Sequence, residues 1–446
     1  MRKQTVINLV GIGVGISIGL LLAGPRLKVL PNIPKYYKVA AMLPDEIKAA
    51  KQEGLLMTPA DLERPVPVPD NQNAALLYSQ FPPVKVSDQE DAVRSAVLKG
   101  KATAADRQAT QRLLDKAAPQ LRLAEQAAAL PDCDFHRNWK LGPNLLLPEY
   151  APIRETARLL GVKAVMQSDA GHPEAALHTV WVGMRMAQHL TRDPLLIPFL
   201  VRIAVESIMD RAFQYVVKHN ADRPDILHLA AQTEREFGEM PDIAHALGGE
   251  VVMCRIMADM VRTSEAQSSW NNMVIPITGT PRTVAVDAYE AHSLSYWRRV
   301  FAAVNSTHGD PMATYHAFKA VCEAEEAMEV GKDGKPKPTY ELSAILCPFF
   351  ATAAEKVAHN EAERRLRRTL LALLAYRQRE GHFPETLSLL SSPAPEDPFL
   401  PQPLRYRRTE QGFLLYSVGE NLKDDGGIGI APKKGEPRPD IVVSFP

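Results

Sequence analysis

Residues 195–217 read LLIPFLVRIAVESIMDRAFQYVV. Apolar side chains fall on almost every face of a helix wound through this stretch. Such a helix is buried by neighbours on all sides, so the run predicts a central helix inside a helical body. Just before it, residues 173–189 read PEAALHTVWVGMRMAQH. Leu177, Val180, Trp181, Met184 and Ala187 recur at helical spacing, and Pro173 suits a first helical position. Asp169 to His172 reads as the turn before it. The Trp181–Met184 stripe is read as core.

Gly171, Ala176 and Gly183 are arranged as in a tetratricopeptide hairpin, where small residues let two helices approach closely. No second copy occurs at a period of about 34 residues, so the pattern predicts one hairpin and no array. Outward from this centre, helices are expected at 104–130, 225–237, 243–266, 285–305, 310–329 and 340–358. Asp70 is expected to cap a helix holding Ala74 to Tyr78. Residues 276–281 and 331–336 read as surface turns. Strand signals gather near the end, at Leu404–Arg407, Gly412–Val418 and Ile441–Phe445.

The chain has 446 residues, enough for more than one domain, and its 52 Lys plus Arg balance 52 Asp plus Glu. That balance provides no bulk electrostatic reason for nucleic-acid binding. Thr5 to Gly24 is an almost unbroken apolar run. At about 1.5 Å per residue it crosses a hydrocarbon core of about 30 Å. Met1-Arg2-Lys3 precedes it, and Pro25 disfavours cleavage after it. The run is read as an uncleaved single-pass anchor in a bacterial membrane, with the bulk of the chain extracytoplasmic; the alternative is a cleaved signal peptide. Gly11, Gly15 and Gly19 share one face of that helix and permit a homodimeric helix contact. Beyond the anchor, Arg64-Pro65-Val66-Pro67-Val68-Pro69 reads as a stiff, extended link.

Four cysteines, Cys133, Cys254, Cys322 and Cys347, are too scattered for a zinc knuckle or redox pair, and three of them fall in helical apolar contexts and read as buried thiols. The chain lacks His-Glu-x-x-His, Gly-x-Ser-x-Gly and a phosphate-binding loop. His189 with Arg192 and Asp193 is a candidate polar cluster, set against a simpler role for His189 at a helix end. Glu323, Glu325, Glu326 and Glu329 read as a solvated acidic face. Arg364, Arg365, Arg367 and Arg368 are expected to pair with Glu361 and Glu363, or with another domain.

Two resemblances follow from ordered motifs. Asn73-Ala74-Ala75, Tyr78, Pro131 to Phe135, Trp139, Gly142 to Pro148 and Ile153 to Leu160 together resemble a segment of uncharacterised membrane-anchored proteins of planctomycete-type bacteria, which carries no known activity. From residue 361 the order is Tyr376-Arg377, Gly381-His382-Phe383-Pro384, Asp397-Pro398-Phe399, Pro403 to Tyr406 and Tyr416 to Gly419, ending in an acidic loop. This resembles the soluble part of the major pseudopilin of type II secretion systems. The resemblance implies a calcium site in the closing loop, at Asn421, Asp424, Asp425 and Asp440. Asn421 stands where that family usually has Asp. The processed Gly-Phe-Thr-Leu-x-Glu motif of that family is missing before the apolar run, which speaks against assembly into a pseudopilus.

The expected fold is mainly α: an N-terminal transmembrane helix, an α-helical bundle or superhelix, and a small C-terminal α+β pseudopilin-like module. The division is tail and anchor 1–24, Pro-rich juxtamembrane link 25–70, helical domain 71–360 and module 361–446. Leu370, Leu373, Leu374 and Arg377 share a helix face expected to cover the short strands. The expected function is a non-catalytic, membrane-anchored envelope scaffold with protein partners, linked by the pseudopilin resemblance to secretion. The alternative is an enzyme acting on envelope polymers through the helical domain.

Overall fold

A computed structural model describes residues 33–83, 87–238, 242–263, 282–329, 341–391, 395–429 and 439–445. The anchor 5–24, with Gly11, Gly15 and Gly19, lies outside the described residues, as do the turns at 276–281 and 331–336. Among the described residues no helix is long and apolar enough to cross a membrane.

Fourteen α-helices and one three-stranded sheet make up the described residues. In chain order they are α1 Ile33–Ala40, α2 Leu43–Gln52, α3 Ala75–Tyr78, α4 Asp88–Leu98, α5 Ala104–Lys116, α6 Ala118–Ala128 and α7 Tyr150–Asp169. There follow α8 Pro173–His189, α9 Leu196–His219, α10 Pro224–Glu236, α11 Ile243–Thr263, α12 Arg282–Asn305, α13 Pro311–Glu329 and α14 Glu341–Glu380. The strands β1 Arg405–Arg408, β2 Phe413–Ser417 and β3 Ile441–Phe445 pair antiparallel in the order β1-β2-β3. Tyr406 faces Leu415 and Leu415 faces Val443 across the sheet.

α9 is the central helix that its all-round apolar sequence demands. It packs on α7, α8, α10, α11 and α14, and buries Phe199, Val205, Met209, Phe213 and Val216. α7 and α8 form the expected hairpin. Pro173 starts α8, and Leu177, Val180, Met184 and Ala187 are buried on it. Trp181 is only partly buried; its indole N–H donates to Glu236 at 2.7 Å. Gly183 is a close-approach point, but to α9 and not to its hairpin partner α7: a Cβ there would stand 2.1 Å from Met209 Sδ, whereas a Cβ at Gly171 would meet nothing within 4 Å.

Four local expectations need correction. The single helix read over 104–130 is two, α5 and α6, because Pro119 near the start of α6 has no amide proton to continue the ladder. Asp70 does not cap a helix over 74–78; it sits in a 3-10 turn, and the Asn73 carboxamide accepts from the amide of Ala75 at 3.1 Å instead. The stretch read as a juxtamembrane link contains α1 and α2, both packed on α12. The helices read as ending near 358 and restarting at 361 are one, α14, so the boundary drawn at 360/361 falls inside a continuous helix.

The C-terminal sheet lies on α14 as expected. Leu370, Leu373 and Leu374 are fully buried in the same core as Phe413, Leu415 and Val443. That core also contains the buried residues of α7, α8 and α9, so α14 carries apolar contacts in two directions. Arg377 stays partly exposed, its guanidinium 5.4 Å from the Phe383 ring and 5.3 Å from the Phe445 ring.

Candidate functional site

Among the described residues, polar groups meet in the C-terminal loop, in a groove over α5 to α7, in a buried charge network between α9 and α14, and in several smaller ion-pair clusters.

The loop follows β2. Asp397, from the Pro-rich approach to β1, is buried and accepts from Ser417 Oγ at 2.8 Å and the Val418 amide at 2.9 Å. Two motif pieces separated by twenty positions, Asp397-Pro398-Phe399 and Ser417-Val418-Gly419, are thus one hydrogen-bonded unit. Beyond it, the Asn421 carboxamide donates to Asp425 Oδ2 at 2.7 Å. Asp424 accepts from the Tyr416 hydroxyl at 2.9 Å and the Gly426 amide at 3.0 Å, and lies 3.4 Å from Arg405. The Gly426 amide and Tyr416 hydroxyl hold its carboxyl below the usual range. Asp440 accepts from the amides of Gly427 at 2.7 Å and Asp425 at 3.4 Å. Burial raises its carboxyl, those two amides oppose the rise, and the charges of Asp425 and Asp424 add to it. Gly427 has φ +79°, and a Cβ there would lie 2.5 Å from Leu414, so only glycine lets this turn reach Asp440.

The four predicted residues therefore lie together, knit by hydrogen-bond donors from the chain itself. Among the described residues, no group of three or more His, Cys, Asp or Glu side chains is placed to hold a metal ion.

The groove, of about 470 Å³, runs between α5, α6 and α7. Leu114, Leu121 and Met166 supply its apolar surface, and Asp115, Glu125, Arg122 and Lys163 bring both signs of charge to it. α5 opens on Thr103, whose hydroxyl accepts from the amide of Asp106 while Asp106 accepts from the amide of Thr103, a reciprocal cap that starts the helix there.

The charge network is the least expected feature. Arg202, Glu206 and Asp210 recur every four residues, so they occupy one face of α9 and are buried. α14 sets Arg364 and Arg367 opposite them, both almost fully buried. Arg202 Nε donates to Glu206 at 2.6 Å, and Arg367 Nη1 donates to Asp210 at 2.8 Å. Arg364 lies 3.7 Å from Glu206 and donates to the carbonyl of Gly238. Glu234 of α10 takes Arg368 at 2.8 Å and lies 3.5 Å from Arg367, whose guanidinium is 4.9 Å from the Phe237 ring. Burial pushes the Asp210 carboxyl up against the pull of Arg367, and it draws the Arg364 guanidinium down. Glu206 Oε2, Arg364 Nε and Nη1, and Arg367 Nε and Nη2 are buried with no hydrogen bond among the described residues. The expected pairing of the arginines with Glu361 holds for Arg365, at 2.9 Å, and for Arg364, at 3.4 Å. Glu363 instead accepts from Ser207 of α9 at 2.5 Å. The pairs of the network join α14 to α9 and α10.

The remaining candidates separate. His189 is buried between the Tyr78 hydroxyl at 2.7 Å and the Leu130 carbonyl at 3.1 Å, and burial lowers it to about 4. Arg192 pairs with Asp132 at 3.2 Å, whereas Asp193 pairs with Arg137 at 2.9 Å and with the Tyr150 hydroxyl. His189, Arg192 and Asp193 therefore have different partners. Glu325 is not on a solvated face: it is fully buried, 2.7 Å from His292 and paired with Arg299. Cys133 and Cys322 are buried and Cys254 half-buried, and none of the three is in a disulfide. Burial pushes Cys254 up to about 11, far from a reactive thiolate.

Comparison of the chain with protein-family models, curated proteins and solved structures finds no match in any of the three.

Proposed function

We propose that this chain is a non-catalytic scaffold of the bacterial envelope, tethered by residues 5–24, whose helical body binds a protein partner. The observation that carries this reading is the groove over α5, α6 and α7. Its volume of about 470 Å³, its apolar surface at Leu114, Leu121 and Met166, and its mixed charges suit a protein segment with an apolar anchor and polar flanks. The pseudopilin-like reading of residues 361–446 belongs to the same proposal and links it to secretion. It is supported by the order of α14 and three antiparallel strands and by the Asp397–Ser417 unit. Calcium at Asn421, Asp424, Asp425 and Asp440 is part of it too. It is carried by the pseudopilin resemblance, and would require Asp424, Asp425 and Asp440 to turn from the Tyr416, Asn421 and Gly427 donors they now hold toward a shared cation.

The test places a photo-crosslinking residue at Arg122 or Lys163 in the full chain in its own membranes, with exposed Arg379 as reference. Discrete protein adducts at the two groove positions, absent at Arg379, are expected. Arg122→Glu combined with Lys163→Glu should diminish adducts from a crosslinker at Gln111. Equal labelling at all positions, or none in the groove, would refute the reading.

A further inference from the structure

The stretch that joins the anchor to the helical body has a surface of its own. α1 packs on α12 through one side, where Tyr36 is buried, 8 % exposed. Its other side carries Tyr37, 48 % exposed, and Lys38, and the turn that follows carries Ala41 and Met42, the latter 47 % exposed. Tyr37 with Ala41, and Lys38 with Met42, are four residues apart. The Ala41 amide bonds the Tyr37 carbonyl at 3.0 Å and keeps this turn helical. The four side chains therefore form one continuous strip. The position of the strip is set by the next helix. Arg298 of α12 donates to Glu46 at 2.7 Å and to Glu53 at 2.9 Å, fastening both ends of α2 to α12.

Charge and chain length say what faces the strip. The first acidic residue of the whole chain is Asp45; before it come Arg2, Lys3, Arg26, Lys28, Lys35 and Lys38. Residues 25–32 separate the apolar run from α1 and, even fully extended, span at most about 28 Å. A helix held that close to a bilayer, with an exposed tyrosine, an exposed methionine and lysines that precede any acidic residue in the sequence, has the composition of an interfacial segment. Tyrosine partitions to the headgroup level, and lysine is drawn to anionic headgroups.

We propose that the strip Tyr37, Lys38, Ala41 and Met42 lies against the anionic lipid surface of the membrane that holds residues 5–24. The helical body then sits on the bilayer in one orientation instead of swinging from a free tether. The proposal rests on the membrane-anchor reading and deepens it.

The experiment uses the full chain in phospholipid nanodiscs of phosphatidylcholine with phosphatidylglycerol. Met42→Cys carries an environment-sensitive nitrobenzoxadiazole label; Leu389→Cys, on an exposed 3-10 turn, is the reference, and the unsubstituted chain corrects for native thiols. Flotation with vesicles is scored first. Brominated-lipid quenching is expected at position 42 and not at 389. Lys38→Gln should lower the docked-to-free ratio about fivefold, as should replacing phosphatidylglycerol by phosphatidylcholine. Tyr37→Cys provides a second labelled site should Met42→Cys fold poorly. A chain that floats with the vesicles but shows no quenching at 42 or 37, or equal quenching at 389, overturns the docking and leaves the anchor standing. A full-length chain that does not float overturns both.

Discussion

Arg367 and Asp210 lie 157 positions apart in sequence and meet at 2.8 Å with almost no exposure. Arg367→Met keeps most of the buried stem and removes the charge. Asp210 is then a buried carboxylate whose remaining side-chain donor is Gln214, at 2.6 Å. Breaking such a pair from one side costs about 3–5 kcal/mol, and losing the guanidinium over Phe237 adds about 1 kcal/mol. The second substitution decides the matter. Asp210→Leu with Arg367→Met removes both charges together, and apolar replacement of a whole buried pair is near neutral, within about 1–2 kcal/mol of the parent. The coupling in a double-mutant cycle should therefore reach about 3 kcal/mol. The pH dependence has a defined sign. Asp210 is already raised by burial; without Arg367 it rises further, so the folded state holds a proton that the unfolded chain has lost. The stability that depends on this proton is present at low pH and lost as pH rises, so Arg367→Met should be less damaging at pH 5 than at pH 8. Urea unfolding followed by circular dichroism reads all of this. A single substitution costing under about 1 kcal/mol, or costs that simply add in the double variant, would refute the claim that this pair aligns α14 with α9.

Glu250 is buried, accepts the Leu196 amide at 2.9 Å at the start of α9, and burial pushes it up to about 7. Its protonation stabilises the fold fully below about pH 4.5 and fades as pH rises through 7, so Glu250→Gln should gain about 3 kcal/mol at pH 8 and nothing at pH 4, measured by denaturant titration at both. Gly249→Ala would set a Cβ 1.8 Å from the Pro194 carbonyl oxygen, a backbone atom that cannot rotate away, whereas at Gly183 the obstacle is the flexible Met209 side chain. Thermal melts should show a loss of about 3 kcal/mol for Gly249→Ala and about 1 kcal/mol for Gly183→Ala, and the reverse order would contradict the packing described. If calcium occupies the C-terminal loop, millimolar calcium should raise the melting temperature, chelator should lower it, and Asp425→Ala or Asp440→Ala should abolish the response. A melt indifferent to calcium and chelator would remove the ion and leave the loop held by its own amides.

Much of the secondary structure could be read from local pattern because local geometry produces it. The apolar run 195–217, Pro173, and the alternating Leu, Tyr and Val near the end each specify a helix, a helix start or a strand within a few residues. Gly183 was legible as a close-approach point for the same reason, although its partner Met209 was not. One clue to the charge network was also local: Arg202, Glu206 and Asp210 are polar positions at period four inside an apolar stretch, a single polar face on a helix otherwise made for the core. What they would meet was not local. Arg364 and Arg367 sit in a run whose nearest acids are Glu361 and Glu363, and sequence distance favours those neighbours. Tertiary packing brought Asp210 to Arg367 instead, and made Glu325, one of a set of glutamates in a helical segment, a buried partner of His292 and Arg299. The C-terminal loop divides in the same way. Its residues and their nearness in sequence were readable, but whether each carboxylate oxygen meets a backbone amide depends on how Gly427 turns beneath Leu414. The sequence by itself determined which segments are helices and strands, because hydrogen bonding and apolar periodicity act over a few residues. Only the tertiary structure decided which charges are buried and with whom. Burial makes an ion pair consequential, and it exists only once α9, α10 and α14 are packed together.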